Sequence, residues 1–300
     1  MTRSEPAPLA RPELPRPKLT RRDQALRRRA QGSQSALIAL LGLGAVMILL
    51  PFAWMILTAF KTPAEAYTWP PVWLPAKWSL ANFQQLFDTL PFARMFFNSF
   101  WTSTLIACLN ILTAAPAAYA FARLRFPGQG LWFGAHLLSL LIPWQVTIIP
   151  VFLLIRSLGW YDNYLALIVP SIASGFTVFL LYQFFRSLPR SLEESVLIDG
   201  GSWFTALRHV ALPAARGAIS AAWLFSFLGN WQAFIWPLIV LQTSEKMLLP
   251  VGLLSLQNQF SVNIPVLMAG ATLSTLPTVV AYLFVQRYLT DAAITSGLKG

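Results

Sequence analysis

Six long stretches of this 300-residue chain carry no Asp, Glu, Lys or Arg: Ala30–Phe60, Met95–Ala122, Phe126–Ile155, Asn163–Phe185, Gly217–Ser244 and Met247–Gln286. A helix crosses the hydrocarbon layer with about 20 apolar residues, and each run is long enough. One charge at mid-bilayer costs roughly 2.5–3.5 kcal/mol on insertion scales, so six charge-free runs point to a membrane protein. Composition agrees, with 56% hydrophobic and 11% charged residues. Soluble domains carry about a quarter charged. The expected fold class is an all-α integral membrane protein with six transmembrane helices, at about 34–60, 96–121, 130–155, 163–186, 215–241 and 265–287, within a domain at 34–290. The last run is too long for one helix. Its polar cluster Gln257, Asn258, Gln259, Ser261, Asn263 and Pro265 reads as a loop or short interfacial helix before span six.

Lys and Arg set the orientation. With the N-terminus inside, nine lie in the tail, two after span two, four around residues 186–216 and two at the C-terminal end; five lie outside. The positive-inside rule then places both termini and the connection between spans four and five in the cytoplasm. The net charge of +11 therefore points to anionic membrane lipid and not to nucleic acid. Residues 1–33, with Pro6, Pro8, Pro12, Pro15 and Pro17, read as a disordered basic cytoplasmic tail, and 291–300 as a cytoplasmic C-terminal tail. Ala64-Glu65-Ala66 has the look of a signal-peptide cleavage site, but the apolar stretch before it far exceeds the usual 7–15 residues. Cys108 is the single cysteine, which excludes an internal disulfide or thiolate metal site; no metal site is expected. Cys108, Asn110 and His136 read as packing residues.

Between spans one and two, Trp69, Trp73 and Trp78 fit an aromatic belt. Leu80, Phe83, Phe87 and Leu90 fall near helical spacing. Prolines recur in or near the spans (Pro51, Pro116, Pro143, Pro170, Pro237, Pro277), where neighbouring groups can re-satisfy the freed carbonyls.

The loop at 187–213 breaks the apolar pattern with SLEESVLIDGGSWFTALRHVALP at 191–213. Ser191-x-x-Glu194 has the form of a capping box. Gly200-Gly201 ends a two-turn helix in left-handed backbone, and Ser202 starts a second. There Trp203, Leu207 and Val210 form one apolar stripe, and Pro213 closes the unit. The result is a stiff helix–turn–helix that either docks into a soluble partner's groove or folds back onto its own bundle.

This loop resembles the cytoplasmic signature of ABC importer permeases: Glu-Ala-Ala, three residues, Gly, nine residues, Ile, any residue, Leu-Pro. Here Glu194-Ser195-Val196 is followed at that spacing by Gly200, Val210 and Leu212-Pro213. Ser195, Val196 and Gly201 depart from the usual alanines, and Val210 replaces Ile. NSFWTSTLIACLNILTAAPAAYAFARLRFPG and FLGNWQAFIWPLIV also resemble the carbohydrate-uptake branch, and within it the maltose-type second permease subunit. The closing DAAITSGLKG resembles that subunit's tail with a changed ending.

The resemblance implies a non-catalytic permease subunit in a bacterial or archaeal cytoplasmic (inner) membrane. Its implied partners are a second homologous permease subunit, two ATP-binding-cassette ATPase subunits that bind ATP and Mg, and an extracytoplasmic sugar-binding protein. No cofactor is implied in this chain, which lacks a G-x-x-x-x-G-K-[ST] phosphate loop. The implied ATPase-coupling residues are Glu193, Glu194, Asp199, Gly200, Gly201, Val210, Leu212 and Pro213. Glu194 would pair with a basic group of the ATPase, and Asp199 would shape the turn. Asn230, Trp231 and Gln232 are candidates for a sugar path, since amides match hydroxyls and an aromatic face stacks on a sugar ring; the alternative is interhelical packing. The rivals are an ion-coupled secondary transporter and a membrane scaffold that recruits a cytosolic protein. Ion coupling usually needs intramembrane acids or bases, which the span centres lack.

Overall fold

The computed structural model describes residues 21–257 and 263–297, and helix is the only regular structure among them. Two units divide the chain, one ending at Trp54 and one beginning at Met55. In chain order the α-helices are α1 (Arg21–Ala59), α2 (Pro63–Ala66), α3 (Ala81–Thr89), α4 (Phe92–Arg123), α5 (Gln129–Leu141), α6 (Trp144–Ser157), α7 (Leu165–Ser171) and α8 (Gly175–Ser187). The series continues with α9 (Ser191–Ile198), α10 (Trp203–Ala206), α11 (Leu212–Ala214), α12 (Arg216–Trp231), α13 (Ile235–Val240), α14 (Leu249–Gln257) and α15 (Ile264–Gly297). A π-helical turn, Leu207–Ala211, joins α10 to α11.

Among the described residues, four stretches are long and apolar enough to cross a bilayer: Leu37–Ala59, Phe92–Arg123, Leu165–Ser187 and Ile264–Tyr288. They match expected spans one, two, four and six. The third span is not straight: α5 and α6 meet at 103° across Ile142-Pro143. The fifth also differs, because α12 stops at Trp231 and the chain is unwound to Phe234 before α13 resumes. Pro237 follows the unwound residues closely, and its ring restricts the backbone before it.

The helical pattern extends beyond the expected spans at both ends. Residues 21–33, expected within a disordered tail, continue α1 as helix; RRDQALRRRAQ is rich in helix-favouring residues and lacks Pro. At the other end α15 continues to Gly297, through most of the segment expected as a tail. Residues 1–20, 258–262 and 298–300 lie outside the described residues. In the first unit, Leu37, Leu41, Met47 and Leu50 are exposed, as suits a lipid-facing helix.

In the second unit α4 is the central pillar and contributes to all three apolar clusters. Phe92 and Met95 pack with Phe227, Trp231, Leu249 and Val266. Ile106 packs with Ile155, Leu167 and Val240. Further along, Ala114, Ala115, Ala118 and Tyr119 meet Val178, Leu181 and Phe185 of α8. Small residues there allow the close backbone approach that membrane helices use in place of a hydrophobic driving force.

The broken helices are repaired by polar side chains. Pro170 donates no hydrogen bond to Ala166 O, and Trp236 Nε1 donates to that carbonyl at 2.9 Å. At the α7–α8 break, Asn110 Nδ2 reaches Ser171 O at 3.1 Å and Thr113 Oγ1 reaches Ile172 O at 2.9 Å. Asn110, expected as a packing residue, thus holds the break. This is how irregular backbone survives at membrane depth.

Before α4, the amphipathic helix forms as α3, but its buried residues are Asn82 and Leu86, while Leu80 and Phe87 are exposed. Asn82 sets that face, since its amide donates to Ala59 O and Lys61 O at the end of α1, at 2.8 and 2.7 Å.

Candidate functional site

Two junctions between loops fix which segments share an end of the bundle. At one end Asp162 accepts from the Gln242 and Thr243 amides at 2.9 and 3.0 Å and pairs with Lys246 Nζ at 2.9 Å. Asn98, near the start of α4, donates to Glu245 O and Met247 O at the same end. At the other end, Arg123 closes α4 and meets the 188–193 segment. The segments at 98, 162 and 245 therefore lie apart from those at 123 and 193, in the alternation expected of successive spans.

The segment between spans four and five is built as the sequence suggests, with two exceptions. The α9 helix ends at Ile198 with Asp199 as its C-cap; Gly200 N bonds to Leu197 O at 3.1 Å, and Gly201 N to Val196 O at 2.8 Å. This is a Schellman motif, and Gly200 takes the left-handed position at φ +83°. Gly201 is required for space and not for left-handed backbone: a Cβ there would stand 2.8 Å from Val196 O. Ser202 then caps α10 in a capping box with Thr205.

The first exception is the start of α9. Arg190 already has helical angles (φ −64°, ψ −31°), so it is the N-cap residue and Ser191 lies one place inside, with no side-chain cap. The Glu193 and Glu194 amides bond instead to Arg190 O, at 2.9 and 3.0 Å. The sequence-predicted capping box between Ser191 and Glu194 is therefore absent. The same pattern does form at Thr62-x-x-Glu65, where Thr62 is extended and both reciprocal bonds are present.

The second exception is Glu193, expected to face a partner. It is 2% exposed and paired with Arg123, whose Nε lies 3.0 Å from Oε1 and 2.9 Å from Oε2. Nη2 of the same guanidinium donates to Leu188 O at 2.7 Å. Burial pushes the Glu193 carboxyl above its ordinary range, and the Arg123 charge pulls it back only in part. Helical phase separates the two acids: one turns inward and the next, Glu194, outward.

Asp199 is exposed, Val210 and Leu212 are half-buried, and Pro213 is exposed near the start of α11. The expected Trp203–Leu207–Val210 stripe is divided: Leu207 enters the core with Phe185, and Trp203 stays exposed. The most exposed apolar side chains of the unit are Ile198, at 85%, and Phe204, at 68%. Both flank the glycine turn. The π-turn begins at Leu207, whose carbonyl accepts from Leu212 N, and leads into a 78° bend before α12.

A second site opens beside the break after α12. A cleft of about 580 Å³ is lined by residues including Trp144, Thr147, Ser171, Asn230, Gln232 and Trp236. Asn230 and Gln232 both line this cleft. Trp231 does not: it is buried, stacks on Phe227 at 6.0 Å and donates from Nε1 to Ser274 O at 3.1 Å. Trp144 and Trp236 are the tryptophans that line the cleft. Their signal was proximity to prolines, since both are next to Pro143 or Pro237. Among the described residues no group of His, Cys, Asp and Glu could hold a metal.

Residues 111–293 match the model of the family described as binding-protein-dependent transport system inner membrane component. The chain belongs to that family. This inner-membrane transport component is 31% identical over 227 residues to the arabinooligosaccharides transport system permease protein AraQ of Halalkalibacterium halodurans, covering 75% of this chain and 81% of AraQ. It is 32% identical over 259 residues to the sulfoquinovosyl glycerol transport system permease protein SmoH of Agrobacterium fabrum, covering 84% and 89%. It shares its fold with a chain in the crystal structure of a bacterial ABC transporter involved in import of the acidic polysaccharide alginate: TM-score 0.75, 22% identity, 91% and 99% covered. The described spans of the transport component thus belong to an inner-membrane permease fold, and the family match includes the whole 191–213 loop.

Proposed function

We propose that this chain is a permease subunit of an ATP-binding-cassette importer that moves a sugar of the oligosaccharide or disaccharide class across the cytoplasmic membrane by alternating access. Both termini face the cytoplasm, and α9–α11 form the coupling element between spans four and five. ATP and Mg are bound by two partner ATPase subunits, a second homologous permease completes the pathway, and an extracytoplasmic binding protein delivers the sugar. Membership in the transport family and the relatives' sugar substrates support this reading.

The observation that carries the coupling role is the pairing of a buried anchor with an exposed tip. Arg123–Glu193 ties α9 to the end of α4, while Ile198, Phe204 and Glu194 project from the same short unit. A push on the tip is then passed to a spanning helix as rigid-body motion and not absorbed by a loose loop. Glu194, not Glu193, is the acid that pairs with the ATPase. In the cleft beside the α12 break, Asn230 and Gln232 provide amides, and Trp144 and Trp236 provide faces for a sugar ring.

The test is uptake into proteoliposomes containing the full transporter. ATP inside and binding protein with sugar outside are expected to give accumulation; uptake driven by an ion gradient without ATP would refute the reading. Replacing Phe204 or Ile198 by Ser is expected to abolish ATP-driven uptake with little change in melting temperature, because neither side chain is buried. Normal uptake by the double Ser variant would remove the tip from the coupling role.

A further inference from the structure

The Arg123–Glu193 pair borders a second cleft, of about 560 Å³, lined by Arg123, Leu124, Arg125, Phe126, Arg190 and Trp203. Arg123 is committed to Glu193 and Leu188. Arg125 and Arg190 are exposed, and neither is within ion-pair distance of an acid among the described residues. Two guanidiniums therefore share one recess with no compensating carboxylate beyond the one that Arg123 has taken.

The position of the recess narrows what could fill it. It lies where α4, an apolar helix long enough to span, gives way to the short turn that leads into α5. Apolar surface begins again at once: Leu131 is 77% and Trp132 63% exposed. The Trp132 indole folds back on the turn, 3.5 Å from where a Cβ on Gly128 would stand. Basic cleft and lipid-facing surface thus adjoin within about one helical turn. A free anion or an acidic peptide would use only the first of these, whereas an amphiphile with a negatively charged head and acyl chains would use both.

We propose that this cleft is a binding site for an anionic phospholipid. The guanidiniums of Arg125 and Arg190 donate to the headgroup phosphate, for which their planar forks are suited. Trp203 and Phe126 pack against the glycerol region, as amphipathic aromatics do at a membrane interface. The acyl chains lie along Leu131 and Trp132. Because Arg190 is the N-cap of α9 and Trp203 opens α10, the lipid bridges the α4–α5 turn and both arms of the coupling unit. The inference extends the proposed coupling role without depending on it, since lipid retention is read without transport.

The experiment is native mass spectrometry of the full-length chain purified in detergent and titrated with dioleoyl-phosphatidylglycerol or dioleoyl-phosphatidylcholine. The wild type is expected to retain a tightly held phosphatidylglycerol and to discriminate against phosphatidylcholine. Arg125→Gln with Arg190→Gln should weaken that retention about tenfold or more, and the Lys pair should recover part of it. A melting curve checks folding; if the double variant melts early, Arg125→Gln alone decides, with weaker retention supporting the site and unchanged retention overturning it. Equal retention of phosphatidylglycerol by wild type and a stable double variant overturns the proposal, as does equal binding of the two lipids. Unchanged lipid retention with lost ATPase assembly would also overturn it and assign the arginines to a protein partner.

Discussion

The Arg123–Glu193 and Asp162–Lys246 junctions each use one acid and one base, yet they work by different physics. The first is dry, with side chains 4% and 3% exposed; the second is wet, with Lys246 40% and Asp162 21% exposed. At Glu193, burial outweighs the attraction of Arg123 and pushes the carboxyl up. At Asp162, burial acts in the same sense but is overcome by hydrogen bonds from Thr243, Lys246 and the Gln242 amide, which hold the carboxylate well below its usual range. One junction is a committed anchor in which either partner alone would be a liability. The other is a hydrogen-bonded clasp in which the ion pair is one contact among several.

The contrast fails if removing one partner has the same effect at both ends. Arg123→Ala or Glu193→Ala should destabilise by about 3–5 kcal/mol, because a buried charge is left unpaired. Replacing both by apolar residues of similar volume should recover much of that. Unfolding in detergent measures it, and a loss below about 1 kcal/mol for either single variant would mean the pair is not buried as described.

A second test lies at the turn that the anchor holds. Gly200→Ala should cost about 1–2 kcal/mol through its left-handed backbone, whereas Gly201→Ala acts by collision with Val196. Wild-type melting of either variant would place the helix end elsewhere. At the clasp, Thr243→Val should cost about 1 kcal/mol, the net worth of an ordinary hydrogen bond. Lys246→Met should cost less, since half-exposed pairs contribute little.

The clasp also predicts a pH dependence. Because the folded Asp162 carboxyl is depressed, its stabilisation is complete above the ordinary carboxylate range and fades as pH falls through the lower folded value. Wild type and Asp162→Asn should therefore converge in melting temperature only at acid pH. A constant gap down to that range would show that the charge of Asp162 contributes nothing.

Most of the fold was legible in the sequence because the bilayer leaves few choices: an apolar run of sufficient length must close its own hydrogen bonds, and α1, α4 and α15 do. The glycine turn was legible for a similar reason, since backbone geometry at Gly200 and space at Gly201 admit few alternatives. What could not be read was decided by tertiary contacts. Glu193 and Glu194 are chemically identical neighbours, and only the position of Arg123, seventy residues earlier, selects which one is buried. Ser191 had the right partner spacing for a capping box, but the chain turns helical one residue sooner. Trp231 looked like a pathway residue until α15 supplied a carbonyl for its indole. The breaks at 142–143, 172–174 and 232–234 were equally hidden, because prolines are common in membrane helices whether or not they interrupt them.

The π-turn at Leu207–Ala211 makes the aim of the whole α9–α11 unit a matter of residue count. An α-helix advances about 100° per residue, and this turn accommodates one residue more than an α-helical turn would. Deleting that extra residue and letting the turn close as α-helix would rotate everything before it by about 100° relative to α12, carrying Ile198 and Phe204 off their present bearing. No side chain need change chemically for the proposed docking to fail. The direction in which the tip points is set by phase, so a single-residue insertion or deletion here would be felt more than many substitutions on the tip itself.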